Sequence, residues 1–432
     1  MYVLSGASFV KKSLRPLSRM ISILILPALM TAEPALTAPL RINNADLAVI
    51  LPAQRTLRIA ASDFVAPLSE ALLPRDLLKQ VEDAYRDTPV GDALATENTY
   101  SDWTLVSVRI APCSPLGVIP GNAAQVFCWP EVRLVWQPVL KDFRRYAVVL
   151  QSFADDRAIH ALYDFNPSLA LAPADASRAA LLLSKIRKAL MNNPTSPQSS
   201  LTEDEINEFI KLRDSASDAL MAKALALRSG QFTDADYTSF GERPEFNNAQ
   251  SAGDFITKLK AFLSASAPRS GLKEMTSFSL PEGREPPQAD EWFFLQFLKE
   301  GQSMVQQNIK LHSAADGRVL FDFGPAPVGS QMRDDPLLHT ALETMSTIDA
   351  AEIRKRVLLS PSEIGEKKNV ISDRNITLVP NTSCASCHKF NNLRFDFHAL
   401  SYLEDREISV SPRVKIDVSR DLEWLNQRAS RK

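Results

Sequence analysis

The sequence predicts an α+β fold: a mixed or antiparallel β region first, a helical middle, and a small, mostly helical segment at the C-terminus. Three observations predict it. Segments of period two cluster between residues 103 and 166, apolar spacing of the helical kind runs from 175 to 267, and proline-rich stretches at 194–200 and 281–288 punctuate the chain. The 432 residues are 45% hydrophobic and 23% charged, which is ordinary for globular protein and suggests about two or three domains. We divide the chain into 1–38, 39–170, 171–280 and 290–432.

Residues 1–38 have the pattern of a secretory leader. Lys11, Lys12, Arg15 and Arg19 precede the apolar run MISILILPALM (20–30), and small residues follow at Ala32 and Ala38. A short anchor left in place is the rival reading, since Pro39 makes a poor first residue after cleavage. Removal through Ala38 takes four basic residues and one acidic residue from 49 and 51, leaving 45 against 50 and a net charge of −5. No later stretch approaches the ~20 apolar residues of a membrane-spanning helix. The expected mature chain is therefore periplasmic or secreted, from a bacterium, with no transmembrane segment. Basic and acidic residues are interspersed at a net −2, which excludes a nucleic-acid footprint.

After the leader, residues 63–87 have apolar spacing compatible with short helices. The alternating segments WTLVSVRIA (103–111) and EVRLVWQPV (131–139) predict two half-buried strands. Between them lies CSPLGVIPGNAAQVFC (113–128), rich in the turn formers Pro115, Gly117, Pro120, Gly121 and Asn122. Outside the cytosol the simplest state of Cys113 and Cys128 is a disulfide closing that loop, stabilising by about 3 kcal/mol. Two free buried thiols are the alternative. RRYAVVLQSF (144–153) and RAIHALYDFN (157–166) continue the β pattern, and His160 within the latter is read as a strand residue.

Helical periodicity takes over at 175–193, and PTSPQSS (194–200) reads as a hinge. Thr202 and Glu205 have capping-box spacing, starting a helix that is expected to run to a glycine stop at Gly230. GDFITKLKAFLSASA (253–267) repeats the pattern. The acids Glu203, Asp204 and Glu205 are helix-start charge, not a catalytic dyad. Beyond the linker PEGREPPQ (281–288), Asp316-Gly317 predicts a hairpin turn between two apolar runs, with His312 beside it. Short helices are expected around LLHTALETM (337–345) and AEIRKRVLLSPSEIG (351–365). The chain has neither a P-loop nor a glycine-rich nucleotide fingerprint.

The chemistry concentrates in NTSCASCHKFNN (381–392), which holds Cys384, Cys387 and His388, out of four cysteines and five histidines in the whole chain. Shuffling the composition gives Cys-x-x-Cys-His somewhere with a probability of roughly 3 in 10,000, so the spacing is a motif. Two thiolates at this spacing can add across the two vinyl groups of haem, and the adjacent imidazole is carried to the iron by the same turn. CASCH resembles the haem-attachment motif of the cytochrome c superfamily. The chain as a whole is similar to exported bacterial proteins for which that likeness supplies no activity. The resemblance implies one covalent haem c per chain, Cys384 and Cys387 as anchors and His388 as proximal iron ligand.

The departures from that family matter as much. None of the 44 residues after His388 is methionine, so the usual downstream axial ligand is missing. His398 is the nearest candidate for a second ligand, because ten residues extend ~30 Å, enough to round the haem edge. Its competing role is packing against Phe395, Phe397 and Tyr402. Met275, Met304, Met332 and Met345 lie upstream and serve equally well as core filler. With a single motif, a diheme peroxidase is excluded unless a partner brings the second haem. Zinc held by Cys384, Cys387 and His388 or His398 is disfavoured by spacing, and a thioredoxin-like pair by the absence of a preceding strand. The sequence thus points to single-electron transfer with a periplasmic redox partner. The alternatives are a ligand-binding or peroxide-reactive haem protein with an open sixth position, and a zinc- or disulfide-stapled binding protein without redox chemistry.

Overall fold

The structure, a computed structural model, describes residues 41–51, 68–86, 100, 103–116, 126–138, 158–192, 200–279, 293–313, 319–325, 332–333 and 412–430. Alternation builds its central feature. On β3 (Cys128–Pro138) the side chains of Val132, Leu134 and Trp136 enter the core, while Glu131, Arg133 and Val135 take the opposite face. β4 (Ala158–Asp164) repeats this, with Ile159, Ala161 and Tyr163 inward and His160, Leu162 and Asp164 on the other side. These strands join β1 (Ala48–Ile50), β2 (Trp103–Pro115), β5 (Leu272–Ser279), β6 (Phe293–Glu300), β7 (Ser303–Ser313) and β8 (Val319–Pro325) in one antiparallel sheet, in chain order. β9 (Met332–Arg333) adds a ninth strand beside β6. The fold is α+β, as the sequence predicts.

The helical middle is inserted between two neighbouring strands. After β4 the chain forms α3 (Pro173–Asn192), α4 (Glu203–Leu225) and α5 (Ala249–Ser266), and then returns so that β5 pairs with β4 from Ala158↔Phe278 to Tyr163↔Leu272. Gly271 permits that return, because a β-carbon there would sit 2.9 Å from the carbonyl oxygen of Asp164. The sheet therefore runs from the first β region into residues 293–333 without a break. Leu182 and Ile186 of α3, Phe209 and Leu220 of α4, and Phe255 and Leu259 of α5 close over Trp129, Trp136 and Tyr163. Trp129 and Phe209 meet at 5.9 Å between ring centres. Each large apolar side chain buried this fully contributes about 1.5–3 kcal/mol. Two shorter helices, α1 (Asn44–Leu47) and α2 (Arg75–Arg86), complete the N-terminal side.

Several local expectations are met and one is corrected. Thr202 and Glu205 cap α4 reciprocally, with the hydroxyl accepting from the Glu205 N–H at 3.2 Å and the carboxylate from the Thr202 N–H at 3.1 Å. That helix ends at Leu225, five residues before Gly230, because Arg228 leaves the helical path to pair with Asp46 and Asp234. β7 and β8 form the expected hairpin, Ser313 opposite Val319, while Asp316-Gly317 itself lies outside the described residues. A second hairpin, not foreseen, joins β6 to β7 through Gly301-Gln302, where Gly301 has φ +61° and Glu300 faces Ser303. A two-residue loop with glycine first in a left-handed conformation matches the twist of its strands. The segment RRYAVVLQSF, the linker at 281–288 and the short helices at 337–345 and 351–365 lie outside the described residues. A final helix, α6 (Pro412–Ala429), ends the described chain. No helix among the described residues is long and apolar enough to cross a membrane.

Candidate functional site

Cys384, Cys387, His388 and His398 lie outside the described residues, so the structure gives the scaffold around that segment. β9 pairs with β6 through Phe293↔Arg333 and Phe294↔Met332, and the next described residues are those of α6.

The docking of α6 is specific. Val418 is fully buried in the main core, and Val414 packs against that core and against Ile50 and Val106. Asp421 pairs with Arg109 of β2, and Arg428 pairs with Asp218 of α4 and approaches Asp214 at 3.7 Å. Trp424 has two cations against its ring, with the Arg213 guanidinium 5.3 Å and that of Arg428 4.9 Å from its centre.

Under Trp424 lies the predicted disulfide. Cys113 of β2 and Cys128 of β3 are joined, with Cα atoms 5.0 Å apart, and both are buried with Trp424 and the flanking Leu425. Arg213 Nη1 approaches the Cys128 sulfur at 3.9 Å and donates to the Val126 carbonyl at 2.8 Å. Asp214 accepts from the same guanidinium at 2.7 and 2.9 Å.

Two further charge clusters have the composition of active sites. In the first, Arg228 donates to Asp46 at 2.8 Å, Arg243 to Glu245 at 3.1 Å, and the Tyr237 hydroxyl to Glu245 at 2.8 Å. Burial by itself raises the Glu245 carboxyl, but the hydrogen bonds and charge of Arg243 hold it below the usual range, while burial and Glu245 push the Tyr237 phenol up. In the second, Lys273 bridges Glu131 at 2.5 Å and Asp164 at 3.2 Å, with Arg133 also on Glu131 and Arg187 on Asp164. Burial opposes the charge of Glu131, yet Arg133 and Lys273 bring its carboxyl down to about 2. Both clusters pair ionised carboxylates with cations and fasten the 41–47 segment and strands β3 to β5, which is structural work. His160 is pushed down to about 4 by burial and by the nearby Arg133, and so stays neutral at pH 7, as a strand histidine does.

The remaining sequence candidates separate clearly. Met275 is fully buried in the core on β5, where its thioether serves packing. Met304 is partly buried against that core, Met332 sits in β9, His312 is on β7, and Met345 lies outside the described residues. Among the described residues there is no group of three or more metal-ligating side chains. The contribution of Arg213 was not foreseen. Its signal was a cation set in the apolar stripe Phe209, Leu212, Ala216, Leu220, where a charge needs a buried partner. Comparison with protein-family models, with curated proteins and with solved structures gives no match to the chain.

Proposed function

We propose that the chain is an exported, monohaem c-type cytochrome-like protein that passes single electrons to and from a periplasmic redox partner. The observation that carries this reading is CASCH at 384–388 in a chain that opens with a leader-like segment. Cysteine partition supports it: of four cysteines, Cys113 and Cys128 are bonded to each other, which leaves Cys384 and Cys387 for the motif's own chemistry. Attached through thioethers to those two sulfurs and ligated by His388, haem supplies a one-electron iron couple. Cys384 and Cys387 would hold the haem covalently and His388 would ligate its iron and tune it through the imidazole.

A second reading is favoured by one specific observation, the lack of methionine after His388. If the sixth position is open, the chemistry moves toward ligand binding or peroxide reaction. Ferric spin state separates the two. A low-spin protein in which His398→Ala turns the iron high-spin is a carrier with His398 as second ligand. An unchanged spin state in that variant removes His398. A high-spin wild type that binds cyanide or peroxide supports the open site. Haem staining of a denaturing gel tests the proposal itself, on protein exported by a host with cytochrome c maturation machinery. A colourless band from those cells overturns it and turns attention to zinc and disulfide content.

A further inference from the structure

We infer that the terminal helix α6 is the guard of the Cys113–Cys128 disulfide: it shields a bond that is chemically ready for thiol exchange, and release of α6 opens it to dithiol reductants. Two independent features carry this. The first is cover. Cys113 is 3% exposed and Cys128 0%, and among the described apolar side chains those packed on them are Trp424, at 8% exposure, and the partly buried Leu425, both from the last turns of α6. A thiolate must reach one of the sulfurs to react, so access decides the rate.

The second is the local charge. Arg213 lies 3.9 Å from the Cys128 sulfur, and a guanidinium beside a sulfur stabilises its thiolate and makes it the better leaving group. Asp214 accepts from the other donors of that guanidinium, Nη2 and Nε, at 2.7 and 2.9 Å, while Nη1 is the nitrogen that faces the sulfur. Attack is therefore directed to Cys113. The reductant's thiolate bonds to the Cys113 sulfur, the disulfide breaks, and its electron pair leaves on Cys128 beside Arg213. The reductant's second thiolate then displaces Cys113 and closes the reductant's own disulfide. Two electrons have passed to the protein, whose two released thiolates take any protons they gain from water, and the dithiol has been oxidised.

The latch holding the guard is polar and placed along α6. Asp421 grips Arg109 on β2, and Arg428 reaches Asp218 and Asp214 on α4, the helix that also supplies Arg213. The helix that covers the cystine and the cation that activates it thus share one interface, at Trp424. A consequence, which rests on the haem reading, is that the chain can keep one cysteine pair oxidised while the other is held reduced for haem attachment.

The test is timed dithiothreitol treatment of the folded, full-length protein, with alkylation and peptide mapping of Cys113 and Cys128. In wild type the bond is expected to persist. Trp424→Ala is expected to speed its reduction at least tenfold, and Asp421→Asn, which loosens the latch without emptying the core, is expected to act in the same direction should Trp424→Ala fail to fold. Leu259→Ala in α5 serves as a control for general destabilisation. Reduction in the α6 variants no faster than in wild type, or no faster than in Leu259→Ala at equal loss of melting temperature, would overturn the guard. Repeating the assay on a Cys384→Ala, Cys387→Ala variant separates the two proposals. A colourless wild type with a protected disulfide defeats the haem reading alone, and a haem-loaded wild type with an unprotected disulfide defeats the guard alone.

Discussion

The two cysteine pairs stand in contrasting relations to the fold. Cys113 and Cys128 are 15 residues apart, on adjacent antiparallel strands, and their bond is one element of a core that also contains Trp103, Trp129 and Trp136. Cys384 and Cys387 are separated by two residues and followed directly by His388, so their meaning comes from spacing and chemistry and needs no neighbour in the fold. The difference teaches that a scaffold disulfide is defined by its neighbours in the fold, whereas a Cys-x-x-Cys-His motif is defined by its own spacing. It also predicts that the two pairs fail independently.

The largest expected effect tests that independence. Replacing Cys384 and Cys387 by alanine abolishes covalent haem, while far-ultraviolet circular dichroism and the Cys113–Cys128 bond are retained. Arg243→Ala comes next, since it strips a buried guanidinium from Glu245 and Tyr237 and removes contacts to Ala45. Breaking a buried pair in this way costs about 3–5 kcal/mol, read as a fall in the urea midpoint. Replacing Cys113 and Cys128 together by alanine costs about 3 kcal/mol on the chain-entropy view, with haem still attached. A protein that loses haem with this second pair would show the two regions to be coupled.

pH sharpens the comparison within the scaffold. The folded value of His160 lies near 4, below the usual 6.5, so its neutral form is favoured by folding. A depressed value contributes stability that is present above 6.5 and lost as pH falls from 6.5 through 4, an effect on the order of 2–3 kcal/mol. Glu131, also depressed, adds a second loss between 4.5 and about 2. Urea midpoints measured from pH 8 to pH 4 should therefore fall in wild type and flatten in His160→Gln. The smallest effect is that of Thr202→Ala, which removes the cap of α4 and costs about 1 kcal/mol without touching either cysteine pair.

Much of this fold is written in short-range pattern. β2 and β3 were legible because a half-buried strand records its two faces residue by residue, and α4 because a threonine and a glutamate three apart announce a start. What stayed hidden is non-local. β1 has three residues, too few for a period to show, and the pairing of β4 with β5 bridges the whole helical middle. The β6–β7 turn was carried by a single glycine, and the register of α6 over the cystine by Arg213 and Trp424, whose sequences never adjoin. The candidate haem site was legible to the extent that it is covalent. Thioether anchoring fixes a spacing, and the sequence displays it. On the haem reading, a second iron ligand would come from a group that folds back from elsewhere in the chain, and no local spacing encodes that.

One measurement tests the central claim most directly. The exported protein is denatured, its free thiols are alkylated, and its intact mass and pyridine haemochrome spectrum are recorded. The account predicts one haem retained per chain, a c-type haemochrome band, no alkylated thiol, and two alkylatable cysteines, Cys113 and Cys128, once the disulfide is reduced. A chain without haem that instead yields alkylated Cys384 and Cys387, or a second disulfide between them, would contradict it.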